Sequence, residues 1–303
     1  YINGSNVDLD VANTFATQFK NVFSSNHDND VAKAEFEELL ILSAESEPAG
    51  NHFSAELVEN CLHKLKLGKA CGSDELMAEH LLHAHPIIVV LLSALFRDMA
   101  THRMVPDGFC TGITVPLLKD KLGDCNDVNN YRGITLIPVI SKLFELVLLE
   151  ICKPFLITDE LQFGFKKGLG CANAIFLLQE SVDHFVSKGS SVFIASLDIK
   201  KAFDKVCHYK LFTTLLKANV PKWVVLILAF WYCRLNVSVR WGNSCSFNFN
   251  VTSGVRQGGV ISPALFNVFI NAFIVSLRSF NSGLRINGYF AGAIMYADDL
   301  ILI

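Results

Sequence analysis

The chain has 303 residues, 51% of them hydrophobic and 11% aromatic, which is enough to bury a substantial core as one large domain or two lobes. No stretch approaches the roughly 20 apolar residues that a bilayer-spanning helix needs; the runs Ile87 to Phe96 and Trp223 to Cys233 are short, so a soluble chain without a membrane partner is expected. Nine scattered cysteines with no C-x-x-C spacing argue against a disulfide framework and a thiolate zinc site, and point to reduced, intracellular thiols.

The net charge of −3 is unevenly spread. Residues 1–60 carry eleven acids against Lys20 and Lys33, which leaves a modestly basic remainder suited to a polyanionic partner. Residues 1–50 read as an acidic helical extension and linker. Val11, Phe15, Phe19 and Val22 fall on one helical face, a second short helix covers Ala34 to Leu42, and a breaker runs from Glu45 to Gly50. Ser54 is the expected N-cap of a further helix that ends near Gly68. His80, His83 and His85 follow the order Glu79-His80-x-x-His83 rather than H-E-x-x-H, and read as helix-surface histidines.

From Thr111 the pattern changes to strand, charged loop and strand. Gly112 to Lys119 is the first strand, Lys119 to Asn130 the loop, and Asn130 to Leu136 the second strand before an amphipathic helix from Ile140 to Ile151. Such a hairpin with Lys119 and Arg132 can fold over a triphosphate, because arginine grips phosphate bidentately; an ordinary surface loop is the alternative. The stretch Gln162-Phe163-Gly164-Phe165-Lys166-Lys167-Gly168 combines aromatics, lysines and permissive backbone. It suits either stacking on single-stranded nucleic acid or core packing of both phenylalanines.

Ser191 to Leu197 is an apolar run expected to form a buried strand, closed by Asp198, with Ile199 to Asp204 turning into a helix. A carboxylate there is costly unless paired or metal-bound, whereas Asp204 is expected to cap the helix or pair with a lysine. Gly254 to Pro263 is a glycine-rich loop before the helix Ala264 to Leu277, with Ser262 as N-cap and Pro263 at the first helical position. The chain closes on Tyr296-Ala297-Asp298-Asp299 and four aliphatic residues, which reads as strand, tight turn and strand with two acids at the tip. Carboxylates about 4 Å apart repel by roughly 4 kcal/mol at an effective dielectric near 20. An acidic surface turn would tolerate that in water. Aliphatic flanks that demand burial instead favour a divalent metal, provided a further acid joins the pair, and Asp198 is the candidate.

Six stretches in order resemble the reverse transcriptase domain of non-LTR (LINE-type), jockey-like retrotransposons. They are Pro116 to Lys119, Asn130-Tyr131-Arg132-Gly133-Ile134, Gln162 to Phe165, Leu197 to Asp204, Gln257 to Pro263 and Tyr296 to Asp299, covering about residues 110–303. Two departures are Leu117-Leu118 between the proline and the basic residue, and Gly133 where a proline is common.

The resemblance implies an α+β right-hand polymerase, with lead-in helices and fingers over 51–190, palm over 191–303 and the thumb absent. It implies RNA-directed DNA synthesis with two Mg2+ ions on Asp198, Asp298 and Asp299. Lys119, Arg132, Phe203, Gln257 and Gly258 would bind the nucleotide, with Phe203 as the gate under the sugar. Gln162, Phe163, Gly164 and Phe165 would meet the template. The implied partners are an RNA template, a DNA primer or target and dNTP, in nucleus and cytoplasm, with room for an endonuclease domain upstream of Tyr1.

With Ile303 so close to Asp299, Leu300 to Ile303 are expected to lack their cover, and residues 1–303 alone to extend a primer negligibly. The alternatives are a group II intron-type enzyme, a viral RNA-dependent polymerase, which would normally carry Gly-Asp-Asp, and a domesticated RNA-binding remnant without activity.

Overall fold

The computed structural model describes residue 2 and residues 4–24, 29–44, 49–280 and 283–303; most of the breaker expected from Glu45 to Gly50 lies outside these. The helices in chain order are α1 (Asp8–Val22), α2 (Asn29–Leu42), α3 (Ala55–Leu62), α4 (Ala78–Leu82), α5 (Ile87–His102), α6 (Val139–Cys152), α7 (Cys171–Val186), α8 (His208–Lys217), α9 (Lys222–Tyr232) and α10 (Ser262–Ser279). The longer strands are β1 (Thr111–Leu118), β2 (Tyr131–Leu136), β3 (Ala195–Asp198) and β4 (Asn236–Trp241). Four two-residue strands follow, β5 (Ser244–Cys245), β6 (Phe249–Asn250), β7 (Arg285–Ile286) and β8 (Tyr289–Phe290), and the chain ends on β9 (Ala293–Tyr296) and β10 (Asp299–Leu302). The architecture is mixed α+β, and no described helix is long and apolar enough to cross a membrane.

The chain forms two compact units. The first comprises 1–155 and 204–262. Its sheet runs β2-β1-β4-β5, with β6 also on β4, β1 antiparallel to β2 and parallel to β4. Residues 1–50 do not stand apart as an arm. Phe15 and Phe19 of α1 pack with Val237, Val239 and Phe249 of the sheet strands, because the apolar face read from the sequence has a sheet to cover. Ser54 caps α3 by accepting the Leu57 N–H at 3.1 Å. A second core gathers Phe53, Phe96, Phe144 and Trp231, whose rings lie 5.0 to 6.2 Å from neighbouring rings. Full burial of each such side chain stabilises by about 1.5–3 kcal/mol.

The second unit comprises 156–203 and 263–303. Its sheet runs β3-β10-β9, all antiparallel. Because β10 is the middle strand, Leu300 is buried and Ile301 to Ile303 are half-buried, where the sequence expectation was that all four lack cover. Alternate side chains go to opposite faces: Leu300 and Leu302 pack with Ile274 of α10 and Met295, and Ile301 and Ile303 with Ala174 of α7, Phe163 and Ile294.

The expectation of a buried strand from Ser191 also fails. Only Ala195–Asp198 is extended, all four residues are exposed, and Phe193 is 86% accessible. Here β3 is the edge strand, and α7 and α10 supply their apolar residues to β9 and β10 instead.

Candidate active site

The acidic turn sits where the aliphatic flanks place it. Tyr296 and Asp299 are the closing pair of the β9–β10 hairpin, so the loop is only Ala297 and Asp298. Two-residue loops need positive φ at the first position to follow the strand twist, and Ala297 supplies it with φ 58°. Asp299, the first residue of β10, is the antiparallel partner of Asp198, the last of β3. Partners of this kind stand about 4.5–5.5 Å apart at Cα. Asp198 and Asp299 are exposed, while Asp298 is half-buried.

Burial raises the Asp298 carboxyl above its ordinary range, and the charges of Asp299 and Asp198 push the same way. Like charges in opposite register destabilise a sheet, and no lysine or arginine among the described residues of this unit forms an ion pair with any of the three. Three hard oxygen donors at one sheet end suit a divalent cation in chemistry and backbone register. Their side chains do not form a ready ligand set: no three His, Cys, Asp or Glu side chains among the described residues cluster in that way.

The glycine-rich loop before α7 is part of this hairpin. Phe163 N–H donates to Met295 O at 2.8 Å and Met295 N–H to Leu161 O at 2.9 Å, laying 161–163 along β9. Gln162 and Phe163 are buried, at 0% and 9% accessibility. Gln162, Phe163 and Gly164, expected at the template, are thus occupied by the hairpin. Phe165 is the exposed one, with φ 56°. Phe203 stacks on the buried Phe266 at 4.1 Å and 17°, and meets Phe165 edge-on at 5.7 Å. One face of the expected sugar gate is therefore committed to packing.

The remaining expected nucleotide contacts belong to the first unit. Lys119 and Arg132 are exposed at one end of the β1–β2 hairpin, where Arg132 pairs with Leu117, and Lys119 Nζ donates to Asn129 O at 2.9 Å. The Gln257–Gly258 loop is held against β2, with Thr135 N–H donating to Gln257 O at 3.0 Å. Gly258 has φ +107°, and a Cβ there would meet Thr135 O at 2.4 Å, which excludes any other residue. Gln257 Nε2 donates to Asp204 Oδ1, and Asp204 lies in a 3-10 turn (Ala202–Lys205).

Behind this loop lies a pair the sequence reading missed. Arg256, 8% accessible, bonds Glu145 Oε1 at 3.2 Å, Ser141 Oγ at 3.4 Å and Phe109 O at 3.2 Å, with its guanidinium over Trp231 at 4.7 Å. Glu145, 1% accessible, also accepts the Val260 N–H. Burial raises the Glu145 carboxyl, and Arg256 opposes that shift. An acid inside the apolar run of α6 was the available signal.

Residues 119–303 match the reverse transcriptase (RNA-dependent DNA polymerase) family, and the chain belongs to that family. It is 28% identical over 173 residues to the Pol polyprotein of the type-2 retrotransposable element R2DM of Drosophila melanogaster, which covers 57% of this chain and 16% of the relative. It is 28% identical over 218 residues to the RNA-directed DNA polymerase of the mobile element jockey of Drosophila funebris, covering 71% of this chain and 24% of the relative. To the probable RNA-directed DNA polymerase of transposon X-element of Drosophila melanogaster it is 32% identical over 146 residues, covering 46% and 16%. The chain thus spans a quarter or less of the length of these relatives.

Proposed function

We propose that the protein carrying this chain is the RNA-directed DNA polymerase of a non-LTR mobile element, using Mg2+, dNTP, an RNA template and a DNA primer. In this reading the β3-β10-β9 sheet belongs to the palm and the β1–β2 hairpin to the fingers. The observation that carries it is the register of Asp198 opposite Asp299 with Asp298 beside them on the turn. Asp198, Asp298 and Asp299 would hold two divalent ions. Bound there, such ions supply Lewis-acid activation of a primer hydroxyl and neutralise the charge of a leaving pyrophosphate.

The chain's own residues do the positioning. The two-residue loop fixes where Asp298 and Asp299 leave the backbone, and the β3–β10 ladder sets the spacing of Asp198. Lys119 and Arg132 carry positive charge for the triphosphate, the arginine by its bidentate fork. Gln257 and Gly258 meet the nucleotide through loop backbone, since the Gln257 amide is taken up by Asp204. Phe203 meets the sugar with what its stack on Phe266 leaves free. Phe165, exposed, is the template contact of its loop.

The test is primer extension on an RNA template with the wild-type protein and Asp198→Asn. Magnesium-dependent DNA synthesis that the substitution removes supports the proposal. RNA binding without synthesis in the wild type would instead favour a non-catalytic remnant.

A further inference from the structure

A fully buried side-chain amide grips the turn that carries the acids. Gln162 Oε1 accepts the Ala297 N–H at 3.0 Å and the Gly164 N–H at 2.8 Å, while its Nε2 donates to Ala297 O at 3.2 Å. A primary amide that gives and takes at one residue copies the pairing of a neighbouring strand, at the one point of the hairpin where the chain turns and no strand can pair. Ala297 adopts a left-handed φ of 58° that an L-residue with a Cβ reaches only at a cost, so the conformation needs holding from outside. Gly164 closes the grip from the other side. A Cβ there would sit 2.3 Å from Ala297 N, so the two backbones touch with no room for a side chain. Asn267, on α10 and 5% accessible, fixes that glycine by donating from Nδ2 to Gly164 O at 2.6 Å. Gln162 and Gly164 thus meet the two-residue loop directly, and Asn267 holds Gly164 from behind.

We infer that Gln162, supported by Gly164 and Asn267, is a positioning residue of the catalytic turn: it sets the direction in which Asp298 and Asp299 present their carboxylates. The inference rests on the metal-binding reading of those acids for its functional consequence, but its structural half stands without it. Outer-sphere groups that orient ligands typically change metal affinity by about ten- to a hundredfold when removed.

The experiment follows two signals in the 303-residue chain: protection of the Ala297 amide against hydrogen exchange by NMR, and Mn2+ affinity by electron paramagnetic resonance. In Gln162→Met, whose side chain fills similar space without the amide, Ala297 protection should fall on the order of tenfold, and Mn2+ affinity by about tenfold or more. Gly164→Ala, which displaces the same turn by contact and leaves the Gln162 amide in place, should weaken Mn2+ in the same direction. Ile274→Val, in the core beneath the same sheet, should lower the melting temperature and leave Mn2+ affinity within about twofold, because it does not touch the turn.

If Gln162→Met and Gly164→Ala melt earlier yet keep Ala297 protected and Mn2+ affinity unchanged, Gln162 is packing only and the inference is wrong. If Asp298→Asn binds Mn2+ as the wild type does, the metal reading fails instead, and Ala297 protection in Gln162→Met still decides whether the amide holds the turn.

Discussion

Asp198 and Asp299 are antiparallel Cα partners, the last residue of β3 facing the first of β10. Two carboxylates in directly opposed register are a liability in a sheet held together only by itself. The sheet accepts them, with Asp298 on the adjoining turn, and within the unit no basic side chain among the described residues is paired to them. In the proposed function, divalent cations would offset that repulsion.

Phe203 carries the first prediction. Its ring lies flat on Phe266 at 4.1 Å, so Phe203→Val removes both a stacking partner and the bulk proposed to lie under the sugar. The expected result is a loss of discrimination against ribonucleotides in primer extension, with a stability cost of about 1–3 kcal/mol from the truncated aromatic. Unchanged selectivity with the expected loss of stability would leave Phe203 as packing alone.

The buried ion pair behind the Gln257 loop carries the second. Glu145→Gln keeps shape but leaves the Arg256 guanidinium without its counter-charge among buried neighbours. Breaking such a pair costs about 3–5 kcal/mol. Urea denaturation should show a loss of that order, and a loss below about 1 kcal/mol would contradict the account of the loop as held by this pair.

His208 gives the third. Its Nε2–H donates to Gly254 O at 2.9 Å, and burial brings its pKa down from 6.5 to about 4. The unfolded chain therefore takes up a proton between about 6.5 and 4 that the folded chain refuses. Stability from this group is fully present above 6.5 and is lost as pH falls toward 4. The loss is on the order of 3 kcal/mol. Between pH 7.5 and 4.5, urea unfolding of the wild type should lose more stability than His208→Gln, whose amide can donate to the same carbonyl without titrating. Equal losses in the two proteins would contradict the assignment.

How far the site could be read from the sequence depended on where each residue's partner lies. Asp298 and Asp299 were legible because a turn with two acids between aliphatic strands leaves few alternatives, and Asp198 was the acid that ended another apolar run. The exposure of β3 was not legible, since an apolar run looks the same at the edge of a sheet as in its middle. Nor was the role of Gln162, whose partner is the backbone of Ala297, a group that carries no side-chain signature in the sequence. The burial of Leu300 and half-burial of Ile301 to Ile303 were misread for a related reason: their neighbours come from earlier segments, α7, α10 and residues 161–163. The strand–loop–strand of β1 and β2, the start of α3 at Ser54 and the helices α6 and α10 followed from local signals and are present within a few residues of where those signals put them.

In the proposed function, Asp198, Asp298 and Asp299 make a metal-dependent DNA polymerase of the protein that carries this chain. The most direct measurement is dNTP incorporation on an RNA template annealed to a DNA primer, with Mg2+, by that protein and by its Asp298→Asn variant, with RNA binding followed alongside. The account predicts that the substitution lowers incorporation by about a hundredfold or more, as loss of a group that stabilises the transition state does, and leaves RNA affinity largely intact. Incorporation that persists at the wild-type rate in Asp298→Asn would contradict it.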